Sequence, residues 1–321
     1  MPQERTEWAL ICPLCRTDLG MLPMATSSVN CAACGSAYSR RDGVWRFLPA
    51  DAQNRLMPFL DDYVRIRTAE GQGSSDPDYL GKLPAVSRDD PHAGVWRIRR
   101  QSYNSLIRRI LPGFGNPLRI LDLGAGVGWL SHRLAKLGHQ PCAIDINLHG
   151  EDGLAAARHY DPDWPRLQAE FDRIPIASGS ADLAIFNGSV HYSTDYRLTL
   201  REALRVIRPT GAVVIIDTPI YRDGTSGQRM VAELQADFER RVGTLGDALP
   251  CLRYLTWDDI ASLGNELQLR WRVLRPWYGM KWALKPLIAR LRGTREPAQF
   301  ALLVGQPMTD VAGLRRDFDA A

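Results

Sequence analysis

The chain has 321 residues, of which 45% are hydrophobic and 24% charged, with a formal net charge of +4. This is the make-up of a globular protein long enough for one full α/β domain and a small module, and so mild a basicity does not by itself imply a nucleic-acid partner. No apolar run approaches the ~20 residues of a membrane-spanning helix, and the start, MPQERTEWALICPLC, lacks a basic stretch followed by an apolar one, so a cytoplasmic protein is the expectation.

Four of the six cysteines fall within residues 12–34. Cys12 and Cys15, then Cys31 and Cys34, make two CxxC pairs with fifteen residues between them. Each pair aims two thiolates at one point, and two pairs complete a closed tetrahedral Zn2+ site. With no open coordination position, such a zinc is structural. Residues Ala37–Tyr38 and Val44–Pro49, joined at Asp42-Gly43, read as two strands and a tight turn. This stretch resembles the zinc ribbon of methyltransferase activator subunits, also found ahead of some bacterial methyltransferases.

Leu56 to Ala69 has helical periodicity, Gly71 to Asp78 reads as a loop, and a second helix is expected over 95–111. That helix carries Arg97, Arg99, Arg100, Arg108 and Arg109. These form either a solvated face or part of a cap that holds an anionic substrate or cofactor carboxylate, with Tyr63, Arg67 and Tyr103 beside them. From Leu118 the pattern alternates: strands at 118–123, 141–146, 166–169, 181–187 and 211–217, and helices at 128–137, 150–160 and 195–207. Helices at 225–242 and 257–267, a strand at 269–276, a helix at 281–292 and a strand at 298–305 follow. The expectation is an α/β fold, a doubly wound sheet with helices on both faces, in which ligands bind at the carboxyl ends of the strands.

The sharpest motif is Asp122-Leu123-Gly124-Ala125-Gly126-Val127-Gly128-Trp129. A dinucleotide fingerprint, G-x-G-x-x-G, would put its third glycine at Trp129, which cannot supply that close packing. The spacing D-x-G-x-G-x-G resembles the first motif of class I S-adenosylmethionine-dependent methyltransferases of the type 11-like group, with a Rossmann-like sheet. Further motifs follow in order: Asp145 and Ile146 at the end of the second strand, Ala169 to Ile176, Asp182 to Tyr192, and Leu200 to Gly211.

The resemblance implies S-adenosylmethionine as cofactor, held by Asp122, Gly124, Ala125, Gly126, Gly128, Asp145, Ile146, Glu170, Phe171 and Asn187. Asp145 would accept the ribose hydroxyls. Glu170 would meet the adenine amino group, with Asp172 as an alternative. His191 is the candidate general base, since its ordinary pKa suits proton transfer near neutrality. Tyr103, Tyr192, Tyr221, Trp277 and Tyr278 are candidate substrate contacts. The division expected is a zinc ribbon at 1–50, a helical linker or cap at 51–117, the methyltransferase domain at 118–306 and a tail at 307–321.

The acceptor is less legible. Arg275 to Arg292 is aromatic and basic together, which fits a crossover helix, a surface for membrane lipid or a lipid-linked substrate, or an RNA contact. Bacterial enzymes that methylate a guanine of ribosomal RNA also carry a zinc module ahead of this fold. Their segment after the fourth strand differs from Asn187–Tyr192, which is closer to methyltransferases of quinones and natural products. A small-molecule or lipid-linked acceptor is therefore favoured, with RNA as the alternative. A non-catalytic interaction protein or methyltransferase activator is the remaining reading.

Overall fold

The computed structural model describes residues 8–23, 26–161 and 163–308. The expected tail lies, from residue 309 on, outside the described residues, as does the start of the ribbon before residue 8. Strands β1 (Ala9–Ile11) and β2 (Asp18–Met21) form an antiparallel pair. β3 (Ser28–Asn30), β4 (Ala37–Arg41) and β5 (Val44–Arg46) form a meander. Its tight corner is the expected Asp42-Gly43, both residues having positive φ, 52° and 74°. Two left-handed residues match the twist of a two-residue hairpin.

Three helices follow: α1 (Ala50–Ala69), α2 (Pro77–Lys82) and α3 (Ala93–Arg109). Next come β6 (Arg119–Leu123), α4 (Trp129–Lys136), β7 (Gln140–Asp145), β8 (Arg166–Gln168), β9 (Ala181–Asn187), α5 (Tyr196–Val206) and β10 (Ile207–Ile216). A small parallel pair, β11 (Ile220–Tyr221) and β12 (Leu255–Thr256), is linked by α6 (Gly224–Val242). The chain continues through α7 (Trp257–Glu266), β13 (Leu269–Leu274), α8 (Met280–Ala283), α9 (Lys285–Leu291) and β14 (Leu302–Pro307).

The main sheet has the order β13-β14-β10-β9-β6-β7-β8-β5-β4-β3. Its strands β10, β9, β6, β7 and β8 run parallel. Side chains alternate between two buried faces. Leu121, Leu123, Ile144, Phe186 and Ile215 pack into one core, and Ile120, Ala143, Ile185 and Val214 into the other. A sheet apolar on both faces must be covered by helices on both, which is the expected α/β architecture. β6 is the switch point, with β7 on one side and β9 on the other, so the loop after β6 opens onto a crevice.

The ribbon joins this sheet directly: β5 pairs in parallel with β8, Trp45 opposite Leu167. Ile11 N–H donates to the Pro175 carbonyl at 3.2 Å and Ala177 N–H to the Ala9 carbonyl at 2.9 Å. Arg16 ion-pairs with the buried Glu202 of α5 at 2.6 Å.

Three expectations need correction. The helix expected at 150–160 is only a 3-10 turn over Leu154–His159. The Asn147 side chain binds the Asp152 carbonyl at 2.9 Å, holding 147–153 as a tight loop that leaves no room for a regular helix start. The helix expected at 281–292 is split into α8 and α9, with Pro286 in the first turn of the second. The loop at 71–78 leads into α2, which begins at Pro77 with Asp76 capping the Asp78 N–H. Among the described residues, no helix is long and apolar enough to cross a membrane.

Candidate active site

The loop Gly124–Gly128 carries the chain from β6 into α4. Gly124 and Gly128 have φ of 74° and 72°. At Gly124 an added Cβ would lie 2.3 Å from the Ser189 Cβ, and at Gly128 2.4 Å from the Trp164 ring. Only glycine supplies both the left-handed backbone and the close approach. The loop is therefore drawn against the segment after β9, leaving its backbone open to a ligand.

Asp145 ends β7 and faces this loop. Its carboxylate accepts from Gly126 N–H at 2.7 Å and from Asn147 N–H at 2.8 Å. Burial pushes its carboxyl up to about 6, against the pull of these two donors. Asp122 has another role. It is 1% exposed, and its Oδ2 accepts both Ser131 N–H at 3.1 Å and Ser131 Oγ–H at 2.8 Å at the start of α4. It lines neither cavity described below, and burial pushes its carboxyl up to about 7.

Two cavities meet across the loop and share Gly124, Gly126, Gly188, Tyr63 and Asp152. The first, about 840 Å3 including its open mouth, is lined by Asp145, Ile146, Asn147, Glu170, Phe171, Asp172, Ser189 and Tyr192. The Phe171 ring meets Phe186 edge-on at 5.4 Å. Glu170 pairs with Arg55 through Oε1, while its buried Oε2 has no partner and is free to accept a hydrogen bond. Helix α1 roofs the cavity with Leu56, Phe59, Leu60 and Tyr63.

The second cavity, about 690 Å3 on the same measure, is lined by Ala125, Val127, Trp129, Asn187, Arg67, Arg99, Tyr79 and His92 among others. Arg67 makes a two-pronged pair with Asp152, at 2.8 and 3.0 Å. Arg99 has no carboxylate in ion-pair range among the described residues; its guanidinium lies 4.8 Å from the Trp96 ring centroid, and burial lowers its pKa. A buried cation in a cavity wall, out of ion-pair range of any carboxylate though in the field of Asp217, is suited to an anionic group on a ligand.

The other expected residues lie elsewhere. His191 lines neither cavity; its Nδ1 is 3.5 Å from Thr218 Oγ1. Burial, then Arg253 and Arg99, pushes it down to about 3, so the imidazole stays neutral and is a poor proton acceptor. Gly128 serves packing. Tyr103 meets Trp129 edge-on at 5.9 Å. Tyr221 is buried beside Tyr254, its hydroxyl 3.3 Å from Arg295. Tyr278 bonds Ser102 Oγ at 2.9 Å, and Ser102 in turn donates to Asp217. Trp277 is 64% exposed, away from both cavities. Sequence reasoning missed Arg55, Asn147, Asp152, Ser189 and Leu249.

In the ribbon the four Sγ atoms all lie within 4.8 Å of one another. Cys12 and Cys34 are 3.6 Å apart, Cys15 and Cys31 3.4 Å. Four thiolates at ordinary Zn–S distance stand about 3.8 Å apart, so this set fits a tetrahedral metal. Tyr38 Oη, 3.0 Å from Cys12 Sγ, supplies an outer hydrogen bond.

Residues 121–215 match a family of methyltransferase domains. The chain is 34% identical over 172 residues to a malonyl-[acyl-carrier protein] O-methyltransferase of Erwinia pyrifoliae, covering 54% of this chain and 59% of that protein. It is 30% identical over 152 residues to a dimethylglycine N-methyltransferase of Parasynechococcus marenigrum, covering 46% and 52%. It is 29% identical over 173 residues to a demethylmenaquinone methyltransferase of a Mycobacterium species, covering 50% and 73%. The chain thus spans less than two thirds of the first two of these relatives. In structure it is similar to a putative sarcosine dimethylglycine methyltransferase from Galdieria sulphuraria, with TM-score 0.50 and 18% identity over 77% of this chain and 98% of that one. The similarity is thus to methyltransferase domains over residues 121–215, and the sheet is of the Rossmann-like α/β kind seen in the Galdieria structure.

Proposed function

We propose that this chain is an S-adenosylmethionine-dependent methyltransferase whose acceptor is a small or lipid-linked molecule, and that its ribbon binds one structural Zn2+. The observation that carries the reading is the junction of two cavities at Gly124 and Gly126, one lined by the partnerless Glu170 Oε2, the Asp145 carboxylate and aromatic faces, the other by Arg99, which has no carboxylate in ion-pair range. When bound, the cofactor supplies a methyl group already activated on a sulfonium. Asp145 would accept the ribose hydroxyls, Glu170 Oε2 the adenine amino group, and Phe171 would flank the ring. Leu56, Phe59 and Leu60 would exclude water from above. The second cavity would position the acceptor against the shared wall, which is the chief demand on a protein whose donor is pre-activated. The relatives are named for acceptors that are small or carrier-linked, which supports the same class here.

Calorimetry with S-adenosylmethionine tests the cofactor, and transfer of labelled methyl into fractionated cell extract tests the acceptor. Absence of cofactor binding removes the reading; label entering RNA but not small molecules or lipid replaces the acceptor class. Affinity for the cofactor is expected to be flat above about pH 6 and to fall roughly tenfold per pH unit below it. The reason is that protonated Asp145, whose carboxyl sits at about 6, no longer accepts from both hydroxyls. Titrations between pH 5 and 8 check this. Arg99→Gln is expected to weaken the anionic ligand it faces by about tenfold or more, the loss of one charge-assisted hydrogen bond. A rise in cofactor Kd assigns Arg99 to the methionine carboxylate; a rise in acceptor KM alone assigns it to the acceptor.

A further inference from the structure

The segment between β13 and β14 turns its apolar side outward. α9 and the residue before it place Leu284, Leu287, Ile288 and Leu291 at positions i, i+3, i+4 and i+7, hence on one helical face. All four are exposed, Leu291 by 78%, and Met280 and Trp277 extend the patch. In an ordinary surface helix that stripe is the part that packs on the core. Here the core contact comes from other residues of the segment. Trp282 stacks on Phe300 at 5.2 Å, and Tyr278 is tied to Ser102. The segment is therefore held to the body while its leucines face solvent.

The charges around the patch have one sign. Between Glu266 and Glu296 the sequence has no acidic residue, and Lys281, Lys285, Arg290 and Arg292 flank the exposed apolar side chains. The charged form of Lys285 is disfavoured first by partial burial and then by the nearby charge of Arg97 on α3. Among the described residues none of these four has a carboxylate in ion-pair range, and only the Lys285 ammonium has an aromatic partner, 4.1 Å from the Trp282 ring centroid. An apolar stripe with Trp at its edge, bordered by Lys and Arg alone, has the chemistry of a helix lying in the plane of an anionic lipid surface.

We propose that the Trp277–Arg292 segment docks the protein on anionic membrane lipid, with Leu284, Leu287, Ile288 and Leu291 entering the acyl boundary and the lysines and arginines meeting headgroup phosphates. The chain lies on the bilayer without spanning it. The inference goes beyond methyl transfer and does not depend on it. It bears on the acceptor all the same, because Tyr278 on this segment is hydrogen-bonded through Ser102 to Asp217, immediately after β10 on the catalytic edge of the sheet.

The test is co-sedimentation of the full chain with vesicles of phosphatidylcholine alone and with phosphatidylglycerol added. Retention is expected on the anionic vesicles only and is expected to weaken with salt. Lys281→Glu with Lys285→Glu is expected to lower partitioning by at least about 25-fold, at roughly fivefold per basic residue removed. Leu287→Glu with Leu291→Glu is expected to abolish it. Because these side chains are exposed, both double variants are expected to fold and to bind S-adenosylmethionine with unchanged calorimetric affinity. That readout separates failure here from failure of the cofactor assignment. No retention, equal retention on neutral vesicles, retention surviving the leucine substitutions, or a dimer or RNA complex that those substitutions dissolve without any vesicle binding would each overturn the proposal.

Discussion

Replacing Asp145 by Asn is expected to lower affinity for S-adenosylmethionine about a hundredfold while leaving the melting temperature within a few degrees of the parent. The two effects separate because the carboxylate serves the ligand at the expense of the fold. Burial has pushed its carboxyl from the usual 3.8 to about 6, so keeping it ionised at neutral pH costs the folded state roughly 3 kcal/mol. That cost is what remains after its two backbone bonds, from Gly126 and Asn147, have offset part of the burial. Asn keeps an acceptor for one of them and carries no charge, so the stability terms nearly cancel. The ligand terms do not cancel. Two ribose hydroxyls donating to a carboxylate are worth about 1.5–3 kcal/mol each, and an amide oxygen replaces one of them weakly.

The sign of the pH effect follows. With its folded pKa above its unfolded one, Asp145 destabilises progressively as pH rises from about 4 to about 6 and by a constant amount above that. The melting temperature of Asp145→Asn relative to the parent is therefore expected to climb over that window and then level. Differential scanning calorimetry of both proteins across pH 4–8 checks it. A flat difference, or unchanged cofactor affinity in the variant, would remove Asp145 from the cofactor site.

What could be read from the residues alone depended on whether a contact is local in the chain. The glycine loop follows β6, Asp145 ends β7 and Glu170 lies two residues past β8, so spacing brings them to the carboxyl edge of the sheet, where Gly124, Gly126, Asp145 and Glu170 line the first cavity. Tyr221 ends β11 and Tyr278 lies between β13 and α8, equally suggestive positions, yet the Tyr221 ring packs on Tyr254 and the Tyr278 hydroxyl bonds Ser102. Strand-end position does not specify direction. The roof shows the opposite difficulty. Leu56, Phe59 and Tyr63 have the spacing of a helix face that packs on a core, and periodicity cannot distinguish a core from an empty cavity that a ligand fills. Asp152 lay in no motif, and Ser189 lay inside the Asp182–Tyr192 motif without a role of its own. They reach the cavity because the tight turn after Asn147 and the glycine at Gly124 bring distant loops together. Asp122 shows a further ambiguity: an acid in a ligand-binding motif can equally hold the helix that follows it, and here it binds Ser131.

Stripping metal from the four-cysteine cluster is expected to lower the stability of the whole catalytic domain, and not merely to loosen an appended module. Trp8, Leu10, Cys12, Cys31, Tyr38, Trp45 and Phe47 belong to the same buried core as Leu121, Ile144 and Leu167 of the main sheet and Ile174 between β8 and β9. The ribbon strands are short, three to five residues each. So few residues cannot close a core of their own, and the folding free energy of such small modules comes largely from the metal, on the order of 10 kcal/mol in isolated zinc peptides. With the metal gone, β5 would lose its anchorage beside β8, exposing Leu167 and the end of the sheet next to Asp145. The holo protein is expected to contain one zinc per chain by elemental analysis. Chelation is expected to drop the melting temperature by at least about 10 °C and to abolish cofactor binding, with both restored on adding zinc back. Cys31→Ser, which removes a buried thiolate, is expected to mimic the chelated state, whereas Cys251→Ser, outside the cluster, is expected to leave zinc content unchanged. A chelator that leaves both melting and cofactor affinity untouched would show instead that the four thiols pack as small apolar groups, with the ribbon held by β5–β8 pairing and the Arg16–Glu202 bridge alone.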